Sequence, residues 1–370
     1  MFSKRAEWDA AVNRLTLARR AYRGTLLDLT NSNPTRAGLS YPLDELADLM
    51  SRAARAPYDP QPLGIACARA AVARELECDA ADVVITASTS EAYSFLFKLL
   101  CDPGDAVLTA KPSYPLLEHL AALELVDLQY FPLEFHKRWE VDPGRIHDAL
   151  TDRTRAVLVV NPNNPTGSYV TAAEQDALAR VGLPVISDEV FHPFAFGGGT
   201  PSFVRDDVLT FTLGGLSKSA GLPHYKLGWI RVSGPGKADA IEALELIADN
   251  FLSVATPVQV ALPELLAIAP RIREAIRART SANLAALQTI IATDPAATVL
   301  PVEGGWSAII RVPRIESDEA LALRLIEEHG VVVHPGYFFD FDADGYIVVS
   351  LLTEPEIFNE GIARFIAARS

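Results

Sequence analysis

Seven short apolar stretches, at 83–86, 106–110, 128–133, 156–161, 184–188, 208–213 and 227–232, constrain this chain more than anything else in it. Segments of helical character separate most of them, at 90–100, 116–123 and 171–181. In the first of these, Ala92, Phe95, Leu96 and Leu99 give one apolar face. Short strands with no polar face, alternating with helices, predict a largely parallel sheet covered by helices on both sides. The link from Lys218 to Leu227 is too short for a crossover helix, so the last strand is expected to run antiparallel. The expected fold class is α/β, with a mostly parallel seven-stranded sheet between helices.

The flanking sequence reads differently. Residues 4–22 have the pattern of a basic amphipathic helix, and 30–38 (TNSNPTRAG) form a polar arm broken by Pro34. Helices are expected at 42–55, 64–76 and 238–251, with a turn at Tyr58-Asp59-Pro60. Beyond Pro257 come a long helix at 270–292, strands at 298–301 and 306–312, a helix at 318–329, strands at 331–334 and 346–351, and a last helix at 356–367. This order predicts a smaller α+β domain. The expected division is a large domain over 45–255, with 1–44 and 256–370 forming the N-terminal arm and the small domain.

The balance of 33 basic and 47 acidic side chains, a net charge of −14, argues against a surface for nucleic acid or anionic membrane. Cys67, Cys78 and Cys101 have no CxxC spacing, which suits a reducing compartment and predicts no metal site. No stretch reaches the roughly 18 apolar residues of a membrane span, and the first residues carry charges where a signal peptide would be apolar. A cytoplasmic protein is the expectation.

Chemistry gathers where the strands end. The segment VLTFTLGGLSKSAGLPHYKLGWIR holds Lys218 just after a strand and two glycines. That is a setting for a lysine whose apolar surroundings keep it neutral and able to attack a carbonyl. Ser88-Thr89-Ser90-Glu91 has the spacing of a capping box and opens a helix. It is either an ordinary capped helix or an anion site suited to a phosphate. Tyr114 follows another strand, as a core residue or as a stacking platform. Asn161 to Gly167, NPNNPTG, is a rigid polar turn in which Asn164 is free to donate an amide hydrogen. Asp188, in SDEVF, is a carboxylate at the end of an apolar strand, a position that requires a partner. Ligands in α/β sheets bind at the carboxyl ends of strands. Four such ends would carry Tyr114, Asn164, Asp188 and Lys218.

With NPNNPTG, SDEVF and LSKSAGLPHYKLG in this order, the chain resembles the class I/II aminotransferases over nearly its whole length. These are the aspartate-aminotransferase-like, fold type I enzymes of pyridoxal 5'-phosphate (PLP). The resemblance implies that Lys218 holds PLP as an aldimine and moves the substrate's Cα proton. It implies that Asp188 pairs with the pyridinium nitrogen, that Asn164 bonds the ring oxygen and that Tyr114 stacks on the ring. Ser88, Thr89 and Ser90 would hold the phosphate with Ser217 and with Lys226, which stands where the family usually has an arginine. Tyr58 would reach the phosphate of a neighbouring subunit, which implies a homodimer. Ser32 and Asn33 would lie near the amino acid.

Four positions depart from the family pattern. Lys226 is a point charge where a bidentate guanidinium is usual. Gly215 replaces a serine and Phe191 replaces a tyrosine that donates to the ring oxygen. Val348 stands where the arginine for the substrate carboxylate is expected, and no Arg or Lys occurs between Arg324 and Arg364. Arg36 is the candidate replacement. His334, Tyr337, Phe338 and Trp306 are expected on the substrate side. The implied activity is transfer of an amino group between an amino acid and a 2-oxo acid. Another PLP-dependent carbanion chemistry, such as β-elimination, and a non-catalytic PLP-binding module are the alternatives.

Overall fold

The computed structural model describes Ser3, Arg5 and residues 12–369. The expected helix at 4–22 therefore lies partly outside the described residues; α1 (Arg14–Ala21) is capped by Asn13, whose side chain accepts from Thr16 N. Then follow β1 (Leu27–Asp28), α2 (Leu43–Ala53) and α3 (Ala66–Glu75). The central alternation comprises β2 (Val83–Thr86), α4 (Thr89–Leu100), β3 (Ala106–Lys111), α5 (Leu116–Leu123), β4 (Asp127–Phe135), β5 (Trp139–Val141), α6 (Pro143–Ala149), β6 (Thr154–Val160), α7 (Ala172–Ala179), β7 (Val185–Asp188), β8 (Thr210–Gly215), α8 (Leu216–Ser219) and β9 (Gly228–Ser233). Last come α9 (Lys237–Asp249), α10 (Thr256–Ile291), β10 (Thr298–Val299), β11 (Ser307–Arg311), α11 (Asp318–His329), β12 (Val331–Val332), β13 (His334–Pro335), β14 (Tyr346–Ser350) and α12 (Pro355–Ala367).

The large sheet has eight strands rather than seven, in the order β2-β9-β8-β7-β6-β3-β4-β5. The additional strand, β5, is three residues long and pairs antiparallel with the end of β4. Its brevity gives no strand-length apolar run to read. Strands β8, β7, β6, β3 and β4 are mutually parallel, and β9 runs antiparallel to both β2 and β8, as the short link predicts. Both faces are covered. Ala156, Leu158 and Val160 of β6 pack with Phe95 and Leu96 of α4 and Leu244 of α9, while Val157 and Val159 pack with Leu178 of α7. Each such fully buried large side chain contributes roughly 1.5–3 kcal/mol.

A second, antiparallel sheet runs β10-β11-β14-β13. Ala308, Ile310, Ile347 and Val349 face Leu321 and Leu325 of α11 and Phe358 and Phe365 of α12. The stretch expected as one strand at 331–334 is divided: β12 pairs parallel with β1, and β13 pairs with β14.

The expected helix at 270–292 proves to be the second half of α10, a helix of 36 residues that contains Pro263 and Pro270. A proline inside a helix costs about 3 kcal/mol. Here both prolines lie seven residues, or about two turns, apart on the outer side. Ala261, Leu262, Leu265, Leu266, Ala269 and Ile272 are buried on the inner side and offset that cost. The helix begins beside α2 and α3 and ends against α12 and β10. Among the described residues no helix is long and apolar enough to cross a membrane.

Candidate active site

The carboxyl ends of β3, β6, β7 and β8 open into a cavity of about 370 Å³, within the size range of small-molecule sites. Its walls come from both sheets. Ser88, Thr89, Ser90, Tyr93, Tyr114, Asn164, Asp188, Phe191, Ser217, Lys218 and Lys226 line the side of the large sheet, and Trp306, Ser307 and Ser350 line the side of the small one. Ser32, from the arm, completes the lining.

Asp188 is the last residue of β7 and is buried. Its Oδ1 accepts from Val190 N at 3.1 Å and its Oδ2 from the Tyr93 hydroxyl at 2.6 Å. Burial pushes its carboxyl pKa up, more strongly than these two hydrogen bonds and Lys218 pull it down. Lys218 lies in α8, the single turn after β8. Burial lowers its amine pKa, against the attraction of Asp188. Its Nζ stands 5.4 Å from the centre of the Trp306 indole ring. The pair is therefore a carboxylate and an amine, each drawn towards neutrality by an apolar setting.

At one end of the cavity α4 presents its N-terminus. Ser88 Oγ accepts from Glu91 N at 3.2 Å, half of the expected capping box. The other half differs: Glu91 Oε2 takes Ala87 N (2.6 Å) and the Ser253 hydroxyl (2.7 Å). The first amides of a helix have no intrahelical acceptor, and Ser88, Thr89 and Ser90 bring this helix start to the cavity wall. Lys226, in a left-handed conformation (φ 47°), also lines the cavity. Gly228 permits the approach, since a Cβ there would lie 2.9 Å from the Ser88 carbonyl carbon and 3.1 Å from Thr89 N. Gly215 sits opposite it in the β8–β9 pair. A Cβ on Gly215 would lie 3.0 Å from both Gly228 Cα and Leu227 O, so a serine would fit here only if the facing backbone gave way by a few tenths of an ångström.

On the far wall Ser307 Oγ donates to Asn164 Oδ1 at 3.3 Å, which leaves the Asn164 NH2 to donate elsewhere. Ser350 Oγ is held by Asn31 O at 2.6 Å. Phe191 and Phe194 meet the Trp306 indole edge-on, at centroid distances of 5.2 and 5.1 Å. Val348 is buried among Ile309, Phe339 and Phe341, so this part of the wall is apolar core.

Six sequence-derived candidates lie outside the lining. Asn33 caps the turn Pro34–Arg36, its Oδ1 accepting from Thr35 N and Oγ1. Arg36 is exposed. His334 packs against Phe338 and Phe339, and burial pushes its pKa down to about 4, so it is neutral near pH 7. Tyr58 is 72% exposed beside Ser253 and Val254. Tyr337 and Phe338 are likewise outside. Conversely, Tyr93, Ser307 and Ser350 escaped sequence reasoning. Tyr93 had a readable signal: it stands four residues after Thr89, on the same helix face.

Residues 31–359 match the family described as Aminotransferase class I and II. The chain belongs to that family. Nicotianamine aminotransferase 1 of Oryza sativa is 31% identical over 224 residues, covering 56% of this chain and 45% of that protein. The chain spans less than half the length of this and two Hordeum vulgare nicotianamine aminotransferases, which it covers to 41% and 48%. An alanine aminotransferase of Mycobacterium tuberculosis is 26% identical over 346 residues, covering 87% of this chain and 80% of its own. Among solved structures, an alanine aminotransferase from Pyrococcus furiosus superposes with a TM-score of 0.89 at 23% identity, over 99% of this chain and 98% of its own. That likeness establishes the shared fold.

Class I and II aminotransferases use pyridoxal phosphate. The residues of this member fit that group. A primary amine of lowered basicity, a buried carboxylate and a helix N-terminus share one cavity, and glycine leaves room at the helix end.

Proposed function

We propose that this class I and II aminotransferase is a PLP-dependent enzyme that moves an amino group between an amino acid and a 2-oxo acid. The observation that carries the reading is the meeting of Lys218, Asp188 and the Ser88–Ser90 helix start in one cavity. When bound, PLP supplies an electron-accepting ring that stabilises negative charge on the carbon next to the substrate nitrogen.

The chain's residues divide the remaining work. Lys218, its basicity lowered by burial, would attach the cofactor aldehyde, then accept the proton from the substrate Cα and deliver it to the cofactor's C4′ carbon. Asp188 accepts from the protonated ring nitrogen. Asn164 donates to the ring oxygen, beside Phe191, which has no hydroxyl to add. Tyr114 covers one face of the ring. Ser88, Thr89, Ser90, Ser217 and Lys226 hold the phosphate. Ser32, Trp306, Ser307 and Ser350 form the substrate end, whose neutral hydroxyls and indole suit a small or apolar side chain. Exposed Tyr58 supports a homodimer in which it reaches the neighbouring site.

Absorbance of the PLP-loaded protein, followed on addition of alanine, glutamate, aspartate, methionine or an aromatic amino acid, tests this. An aminotransferase converts the bound aldehyde to its amine and releases a 2-oxo acid. Release of pyruvate with the aldehyde band retained would point to β-elimination instead, and no band after adding PLP would remove the reading.

A further inference from the structure

The buried phenol of Tyr93 is a strong polar interaction at the cavity for which the cofactor roles above have no use. Tyr93 lies one helical turn beyond Thr89 in α4 and is 5% exposed. Its ring packs on Phe97 at a centroid distance of 6.1 Å. Its hydroxyl leaves the helix layer and ends 2.6 Å from Asp188 Oδ2, on the last residue of β7. We propose that Tyr93 is a positioning residue: its hydroxyl fixes the rotation of the Asp188 carboxylate and keeps it a charged acceptor for the cofactor ring nitrogen. This inference rests on the cofactor reading given above.

Three features support it. First, among the described residues Asp188 has two protein donors, and Val190 N at 3.1 Å is the longer. Tyr93 therefore supplies the stronger restraint, a hydroxyl-to-carboxylate bond of the kind that is shortened and strengthened by charge. Second, burial favours a protonated Asp188, and the Tyr93 bond opposes this. A protonated carboxyl would no longer draw a proton onto a ring nitrogen. Burial and the adjacent carboxylate also raise the phenol pKa well above its usual value, so Tyr93 remains a donor at any working pH. Third, α4 carries both the anion-binding N-terminus and Tyr93. One rigid helix thus sets the distance between the phosphate end and the carboxylate end of the site.

Tyr93→Phe removes one oxygen and preserves the ring packing. The experiment titrates the apoprotein with PLP and, separately, with a PLP analogue in which carbon replaces the ring nitrogen. The expected result is a PLP Kd weakened roughly tenfold or more in Tyr93→Phe, with the Kd for the analogue changed less than about twofold. On an Asp188→Asn background Tyr93→Phe should change the PLP Kd less than about twofold. Equal weakening for both ligands, or an unchanged PLP Kd, would overturn the inference and leave the cofactor reading intact. A wild-type protein that binds neither ligand would overturn both.

Discussion

Lys218 carries its Nζ 5.4 Å from the centre of the Trp306 ring, so the amine and the small-sheet side of the cavity share one apolar wall. Burial against this wall is the main reason that the lysine is less basic than a free one. Only the neutral amine attacks an aldehyde. A lowered pKa therefore shifts the alkaline rise of attachment to lower pH.

The rate of PLP attachment to the apoprotein, followed by absorbance from about pH 6 to about pH 10, is expected to reach its plateau below the pKa of a free lysine, about 10.4. Trp306→Ala admits water, raises the amine pKa and moves the profile to higher pH, with attachment near neutrality slowed roughly tenfold. A wild-type profile that matches free lysine would contradict the argument.

Gly215→Ser would restore the residue usual in the family, yet it is expected to harm this chain. The new Cβ meets Gly228 Cα and Leu227 O at 3.0 Å. Overpacking of this kind costs about 1–3 kcal/mol. Urea denaturation should show that loss, and PLP affinity should not improve. A stabilised variant with tighter PLP binding would show that the strand pair yields.

Lys226 lines the cavity with the Ser88–Ser90 helix start. If its charge serves the phosphate, Lys226→Ala weakens PLP by roughly tenfold or more and leaves unphosphorylated pyridoxal unchanged. Fluorescence titration of both ligands gives the comparison. Equal losses would assign Lys226 to another part of the ligand.

Val348 cannot be exchanged for the missing arginine. It is 1% exposed among Ile309, Phe339 and Phe341, and an unpaired guanidinium there is expected to cost about 3–5 kcal/mol. Thermal unfolding of Val348→Arg measures this. Arg36, exposed outside the cavity, is expected to tolerate Arg36→Ala with donor KM and kcat changed less than about twofold. A tenfold rise in KM would return Arg36 to the substrate site.

Much of the fold was legible because burial on both faces leaves short strands apolar throughout, and because the β8–β9 link is too short to cross over. Strand β5 was not legible: three residues are too few to set a period. The full length of α10 was hidden by Pro263 and Pro270, whose local cost is outweighed by the inner face. At the cavity, Lys218, Asp188, Asn164 and Tyr114 were readable as polar groups at strand ends. Ser307 and Ser350 were not, because a serine in a strand carries no sign of what faces it. Asn33, Arg36 and His334 were assigned through the resemblance, and their placement depends on how the arm and β13 pack locally.

The unbroken course of α10 has a consequence for variants far from the cavity. The helix begins beside α2 and α3, in the core that also holds Leu216 of α8, and ends against α12 and β10 of the small sheet; Lys218 lies in α8 and Ser350 at the end of β14. The spacing between the two walls is thus held by a common strut. A change that bends this strut at mid-length would resize the site without touching any residue that lines it. Selectivity for substrate length would then shift while the groups around the cofactor stayed in place.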